Sequence, residues 1–204
     1  MKIVLNDIGR RFNKEWIFRN LSAEFISGNS YAILGPNGSG KSTLLSVLTG
    51  SLSPSEGNIS FHNEKDIPVE EIYKYVSLAA PYLELVETFT LKELIHFHFK
   101  FKGFAPGVDS KSLISILGLE KSANKEIKYF SSGMKQRTKL ALACCSNSPI
   151  LFLDEPTSNL DVQGVNWYQE LIEKYTHDRL TIIGSNQIQE YEFCTSHVQI
   201  SDYK

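Results

Sequence analysis

Gly35-Pro36-Asn37-Gly38-Ser39-Gly40-Lys41-Ser42-Thr43 satisfies G-x-x-x-x-G-K-[ST] at every position. The apolar run Tyr31-Ala32-Ile33-Leu34 precedes it and Leu44-Leu45-Ser46-Val47-Leu48 follows, the strand-before, helix-after setting that the pattern requires. The chemistry is close backbone approach. Gly35, Gly38 and Gly40 let the main chain curl until successive N–H groups converge on one anion-sized hollow, with Pro36, Asn37 and Ser39 completing the loop. The N-terminus of the following helix adds partial positive charge there. Lys41 supplies a mobile cation for β- and γ-phosphates, and Ser42, with Thr43 beside it, a hydroxyl for Mg²⁺. The expected ligand is a nucleoside triphosphate.

Working outward, 204 residues with 42% apolar and 22% charged side chains are ordinary globular values. A net charge of −2 with no Lys/Arg block argues against bulk electrostatic binding of nucleic acid, so no such partner is expected. The N-terminus turns polar within a few residues, and no apolar stretch approaches the length of a membrane span. The expectation is a cytosolic chain that reaches a membrane only through a partner. Cys144, Cys145 and Cys194 have neither an even count nor metal spacing and read as buried free thiols.

Alternation predicts strands within 2–8 and 16–26, then at 31–34, 58–61, 73–78, 150–153, 180–184 and 197–201. Helical periodicity predicts 41–50, 90–101, 109–118, 132–146, 161–176 and a short helix near 187–193. The order is strand-rich, then a helical insert, then α/β.

The second half narrows the chemistry. Ile150-Leu151-Phe152-Leu153-Asp154-Glu155 is an apolar strand ending in two carboxylates. Such a strand places Asp154 beside the Mg²⁺ held by Ser42, and Glu155 can then polarise an attacking water as general base. Upstream lies Tyr129-Phe130-Ser131-Ser132-Gly133-Met134-Lys135-Gln136-Arg137, and downstream Ser158-Asn159-Leu160-Asp161.

With these motifs in this order the chain resembles the ATP-binding cassette (ABC) ATPases along essentially its whole length. The resemblance implies an α/β fold, a P-loop NTPase core with a mostly parallel sheet flanked by helices. It adds an N-terminal antiparallel β subdomain and an inserted α-helical subdomain, with the ATP-binding core at about 1–80 and 147–204 and the helices at about 81–146. ATP and Mg²⁺ are the implied cofactors. Ser131, Ser132 and Gly133 fall in a signature loop that caps ATP held by a second cassette; Ser131 and Gly133 match it, while Ser132 replaces a glycine and Met134 a glutamine. Asp161 falls in the loop that couples the two sites. Phe12 stands where an aromatic residue stacks on adenine, with Trp16 as the fallback. The implied partners are a second ABC subunit and an integral-membrane permease, which holds the chain at the cytoplasmic face of the membrane.

Two departures stand out. The glutamine that senses Mg²⁺ is replaced by Ala80 or Pro81, which leaves that position to water. The switch histidine is absent, and Gln187 stands in its place, a neutral amide that can orient water but carries no proton. Slower hydrolysis than in members with both groups is the consequence expected. Tyr82-Leu83-Glu84-Leu85-Val86 lies where such cassettes receive a permease helix. His96 and His98, two apart on a helix, point to different sides and read as part of a packed aromatic helix rather than a metal site. A non-transport ABC ATPase, for example in cluster assembly, and more remotely a P-loop small-molecule kinase are the alternatives.

Overall fold

Period-two alternation on three strands explains the central layer of the protein. In β7 (Ile150–Asp154), Leu151 and Leu153 join one apolar cluster while Ile150 and Phe152 join another. In β8 (Leu180–Ser185), Ile183 faces the first cluster and Leu180 and Ile182 the second. In β3 (Ser30–Leu34), Ala32 and Leu34 oppose Ile33 in the same way. Strands that are apolar on both sides must be covered on both, as in the interior of a parallel sheet. The computed structural model describes all 204 residues and shows this sheet, all parallel, in the order β6-β7-β8-β3-β9, with β6 at Val76–Ala79 and β9 at Ser196–Gln199.

A second, antiparallel sheet in the order β2-β1-β4-β5 comprises β1 (Lys2–Phe12), β2 (Glu15–Ile26), β4 (Glu56–His62) and β5 (Asp66–Ile67). Its inner face, including Ile3, Leu5, Phe18, Phe25 and Phe61, packs with Leu44, Val47 and Leu48 of α1 (Lys41–Leu48). On the other side of the parallel sheet lie α2 (Leu91–His98), α3 (Ser110–Leu117), α4 (Ser132–Cys144) and α5 (Val162–Tyr175), which share one apolar core with β7 and β8. The helix starts have a local cause: Thr90 and Glu93 form a reciprocal cap on α2, and Asp109 and Ser112 do so on α3. α6 (Ile188–Tyr191) is a single turn.

Two expectations needed correction. The strand expected at 73–78 is a 3-10 turn over Val69–Lys74 followed by β6. Pro68 sets the entry angle, and the Lys74–Glu71 ion pair at 3.1 Å spans the turn, so local helical signals outweigh the alternating tyrosines. The last strand stops at Gln199, and a 3-10 turn over Ile200–Tyr203 buries Ile200 completely. No helix is long and apolar enough to cross a membrane.

His98 takes a structural place. Its Nε2 lies 2.9 Å from Ser146 Oγ, and burial, reinforced by the Lys102 charge, lowers its pKa from 6.5 to about 4. Because the unfolded chain takes up this proton first, the contribution is complete above pH 6.5 and is lost as pH falls toward 4. Stability is expected to drop by up to about 2 kcal/mol between pH 7 and 5 from this residue, and His98→Gln to flatten that slope. Thermal unfolding of both proteins across that range checks it; equal slopes would exclude His98 as the source.

Candidate functional site

Three strand ends meet at one edge of the parallel sheet. Leu34 lies beside Ser185 and Asp154 beside Gly184, so the loops leaving β3, β8 and β7 are neighbours. The carboxyl edge of an open α/β sheet is where such folds take ligands.

The loop from Gly35 to Gly40 turns through left-handed conformations at Gly35 (φ 153°), Gly38 (φ 77°) and Gly40 (φ 110°). Space also excludes a side chain: a Cβ on Gly35 would meet Ser39 Oγ at 2.6 Å, and one on Gly40 would meet Ile17 at 2.5 Å. Ile200 packs under both glycines. Lys41 is 4% exposed, and its ammonium donates to the carbonyls of Gly35 at 2.9 Å and Pro36 at 3.3 Å. The cation is thus stored within the loop, at the start of α1, where it can meet phosphate oxygens.

Asp154 is 1% exposed, and neither carboxylate oxygen has a hydrogen-bond partner within normal distance. Burial raises its pKa; the Ser42 hydroxyl acts in the opposite direction, as do Lys41 and Tyr82, while Glu155 adds to the rise. An unsatisfied buried carboxylate facing a serine hydroxyl is a donor set of hard oxygens, and it fits Mg²⁺. Next to it, Glu155 adopts φ 41° with its N–H bonded to the Gly184 carbonyl at 2.9 Å. A left-handed glutamate stores on the order of 1–3 kcal/mol of strain, a cost typical of functional positions. Its side chain joins none of the chain's ion pairs.

Two amides, Asn186 and Gln187, follow the end of β8. Gln187 does not reach the phosphate loop: its side-chain oxygen accepts from Gln189 Nε2 at 2.7 Å. Asn186 does, donating through Nδ2 to Asn37 Oδ1 at 3.0 Å. A loop has no period to count, so a one-residue choice there was invisible in sequence.

Tyr82 is a second residue that sequence reading placed elsewhere. Its ring is half exposed, yet its hydroxyl lies toward both Asp154 and Ser46. Burial and the Asp154 charge raise its pKa. It follows the carbonyls of Ala80 and Pro81, which accept from Lys139 Nζ of α4 at 3.3 Å and 2.7 Å. The Tyr82 phenol therefore borders the Asp154 carboxylate.

Phe12, at the end of β1, is 46% exposed with the Arg10 guanidinium 4.6 Å from its ring centre. Trp16 is engaged by Arg19 at 4.4 Å and Arg11 at 5.4 Å, which leaves Phe12 the freer ring. Ser131 and Ser132 are exposed at the start of α4; Ser131 Oγ accepts from Met134 N at 3.2 Å, and these residues make no hydrogen bond to their own chain's phosphate loop. Asp161 caps α5, accepting from Gly164 N at 2.8 Å. A cavity of about 620 Å³ between α5 and α6 contains none of these groups.

A glycine cradle with its stored lysine, facing a buried carboxylate across one sheet edge, defines a P-loop nucleotide-binding protein. The ABC transporter family pattern matches residues 18–158. The chain is 31% identical over 196 residues to the lantibiotic transport ATP-binding protein SrtF of Streptococcus pyogenes, covering 90% of this chain and 79% of that one. It is 29% identical over 192 residues to ATP-binding cassette sub-family A member 17 of Mus musculus, covering 92% of this chain. Of that mouse protein's length it spans only 11%. A dimeric bacterial ABC transporter cassette shares the fold, with a TM-score of 0.79 at 23% identity over 97% of this chain and 94% of that one. The chain belongs to the ABC transporter family and is an ATP-binding cassette.

Proposed function

We propose that this cassette hydrolyses ATP to drive a separate membrane permease, through ATP-dependent pairing with a second cassette. The observation that carries the reading is the placement of Asp154 and Glu155 at the end of β7, with the Ser42 hydroxyl and the Lys41 charge both acting on Asp154. Backbone N–H groups of Gly35–Thr43 and the Lys41 ammonium bind and orient the phosphates. Ser42 and Asp154 would hold Mg²⁺, which when bound neutralises charge developing on the phosphate oxygens. Glu155 takes the proton of the attacking water. Asn186, linked to the loop through Asn37, is better placed than Gln187 to sense the terminal phosphate. Neither amide can carry a proton, so turnover slower than in cassettes with a histidine there follows.

Exposed Ser131 and Ser132, with half-buried Gly133 after them, stand at the positive end of a 13-residue helix and are free to cap ATP on a partner cassette, and Asp161 lies on the same route. Phe12 offers a ring face to the base. An apolar groove of about 260 Å³ that includes Leu85, Val86, Phe97 and Phe101 suits a permease segment at the cytoplasmic face of a membrane. Transport in the printed name of the streptococcal relative favours this over a non-transport role.

The test is the oligomeric state of Glu155→Gln. With saturating Mg²⁺–ATP it is expected to elute as a dimer and with ADP as a monomer. A monomer in ATP, both alone and in complex with its permease, would end the pairing mechanism.

A further inference from the structure

The buried carboxylate of Glu190 has no part in the mechanism above, and its surroundings are specific. Glu190, on α6, is fully buried. Its Oε1 accepts from the backbone N–H of Thr157 at 2.7 Å and from the Thr157 hydroxyl at 2.5 Å. The Ser185 hydroxyl donates to Oε2, and the same hydroxyl accepts from Gln187 N at 2.9 Å. Tyr168 Oη, buried on α5, donates to the Glu190 carbonyl at 2.8 Å and fixes the turn from behind. No cation takes part in these contacts; three neutral donors satisfy the carboxylate.

Each donor belongs to a segment that matters. Thr157 is two residues beyond Glu155, and Pro156 between them is held through its carbonyl by Gln136 Nε2 at 2.8 Å. Ser185 is adjacent to Asn186, which touches the phosphate loop. Past the last pair of the β7–β8 ladder, Asp154 with Gly184, the Glu155 N–H bonds to the Gly184 carbonyl at 2.9 Å. Glu190 is thus a clamp between the end of β7 and the end of β8.

We infer that Glu190 is a positioning residue for hydrolysis: it locks the Glu155–Thr157 turn to the Ser185–Asn186 turn, so that contact with the bound phosphates sets where the Glu155 carboxylate points. This rests on the proposed role of Glu155. The left-handed backbone of Glu155 needs such over-determination, because a strained turn with free neighbours relaxes. A carboxylate suits the task, since it accepts from several donors at once, whereas an amide keeps one acceptor oxygen and turns two N–H groups on donors.

The experiment uses the full chain with Glu190→Gln, alone and combined with Glu155→Gln, at a temperature where circular dichroism shows every variant folded. ATP affinity is read from a fluorescent nucleotide and turnover from phosphate release. Glu190→Gln is expected to lower kcat at least tenfold with ATP affinity within threefold, and to add little to the loss caused by Glu155→Gln. A global packing defect would instead weaken affinity and multiply with that loss, which would overturn the inference, as would wild-type kcat. Should Glu190→Gln not fold, Thr157→Val and Ser185→Ala each delete one donor and are held to the same criteria. If Glu155→Gln itself keeps full turnover, the hydrolytic reading falls and this one with it; if only Glu190→Gln keeps it, this inference alone falls.

Discussion

Glu155→Gln should reduce kcat for ATP hydrolysis by about 10²–10⁴-fold, the range lost when a positioned general base can no longer accept a proton. The replacement is nearly isosteric, and the Glu155 backbone stays tied to Gly184 by the 2.9 Å bond, so the turn keeps its shape. What changes is one oxygen, from a proton acceptor to an amide that cannot take the proton of water. Glu155 makes no contact with the phosphate loop among its hydrogen bonds, so ATP affinity should move by no more than a few-fold. Phosphate release under saturating ATP gives kcat, and nucleotide titration gives affinity. A kcat within twofold of wild type would remove Glu155 from the chemistry.

Lys41→Met is expected to weaken ATP binding by about 10²-fold, since charge-assisted hydrogen bonds are worth about 1.5–3 kcal/mol and two or more meet at this ammonium. Methionine keeps an apolar stem in a position that is 4% exposed, so the loop should stay packed. It leaves the carbonyls of Gly35 and Pro36, which hold the ammonium at 2.9 Å and 3.3 Å, facing the hollow alone. Two acceptors beside an anion repel it, which adds to the loss of the cation. Hydrolysis should become undetectable at ATP levels that saturate wild type. The fluorescent-nucleotide titration decides it, with an unfolding curve as the control. Wild-type affinity would show that the phosphates are held by the backbone alone.

The contrast between the two ends of the catalytic edge explains what sequence can disclose. Gly35–Thr43 and Asp154–Glu155 are local devices: a glycine spacing that a tight anion-binding curl requires, and an apolar strand that ends in acids. Their chemistry is complete within nine residues or fewer, so the order of letters suffices. The strands at β3, β7 and β8 were likewise legible, because an apolar run is a property of one strand at a time; that each is covered on both faces came from the packed clusters. The helices at 90–101 and 109–118 were read from periodicity alone, and the structure adds the reciprocal caps of Thr90 with Glu93 and Asp109 with Ser112 that fix their starts.

Asn186, Tyr82 and Glu190 were not legible. Asn186 meets Asn37 across 149 positions of chain, and nothing local separates it from Gln187 one residue on. That choice depends on how β8 registers with β3 and β7, which is settled by the packed sheet. The same register brings the Tyr82 turn beside Asp154, although in sequence Tyr82 belongs to an apolar surface run. Glu190 looks like any helical glutamate until α6 packs against β8 and Thr157 and Ser185 close on it. Sequence alone determined the ligand class, the phosphate cradle and the acid pair, since each is short-range chemistry. The tertiary structure alone decided which amide meets the phosphate loop and which buried acid joins the turns after β7 and β8, since those depend on long-range register, and register is a property of the whole sheet.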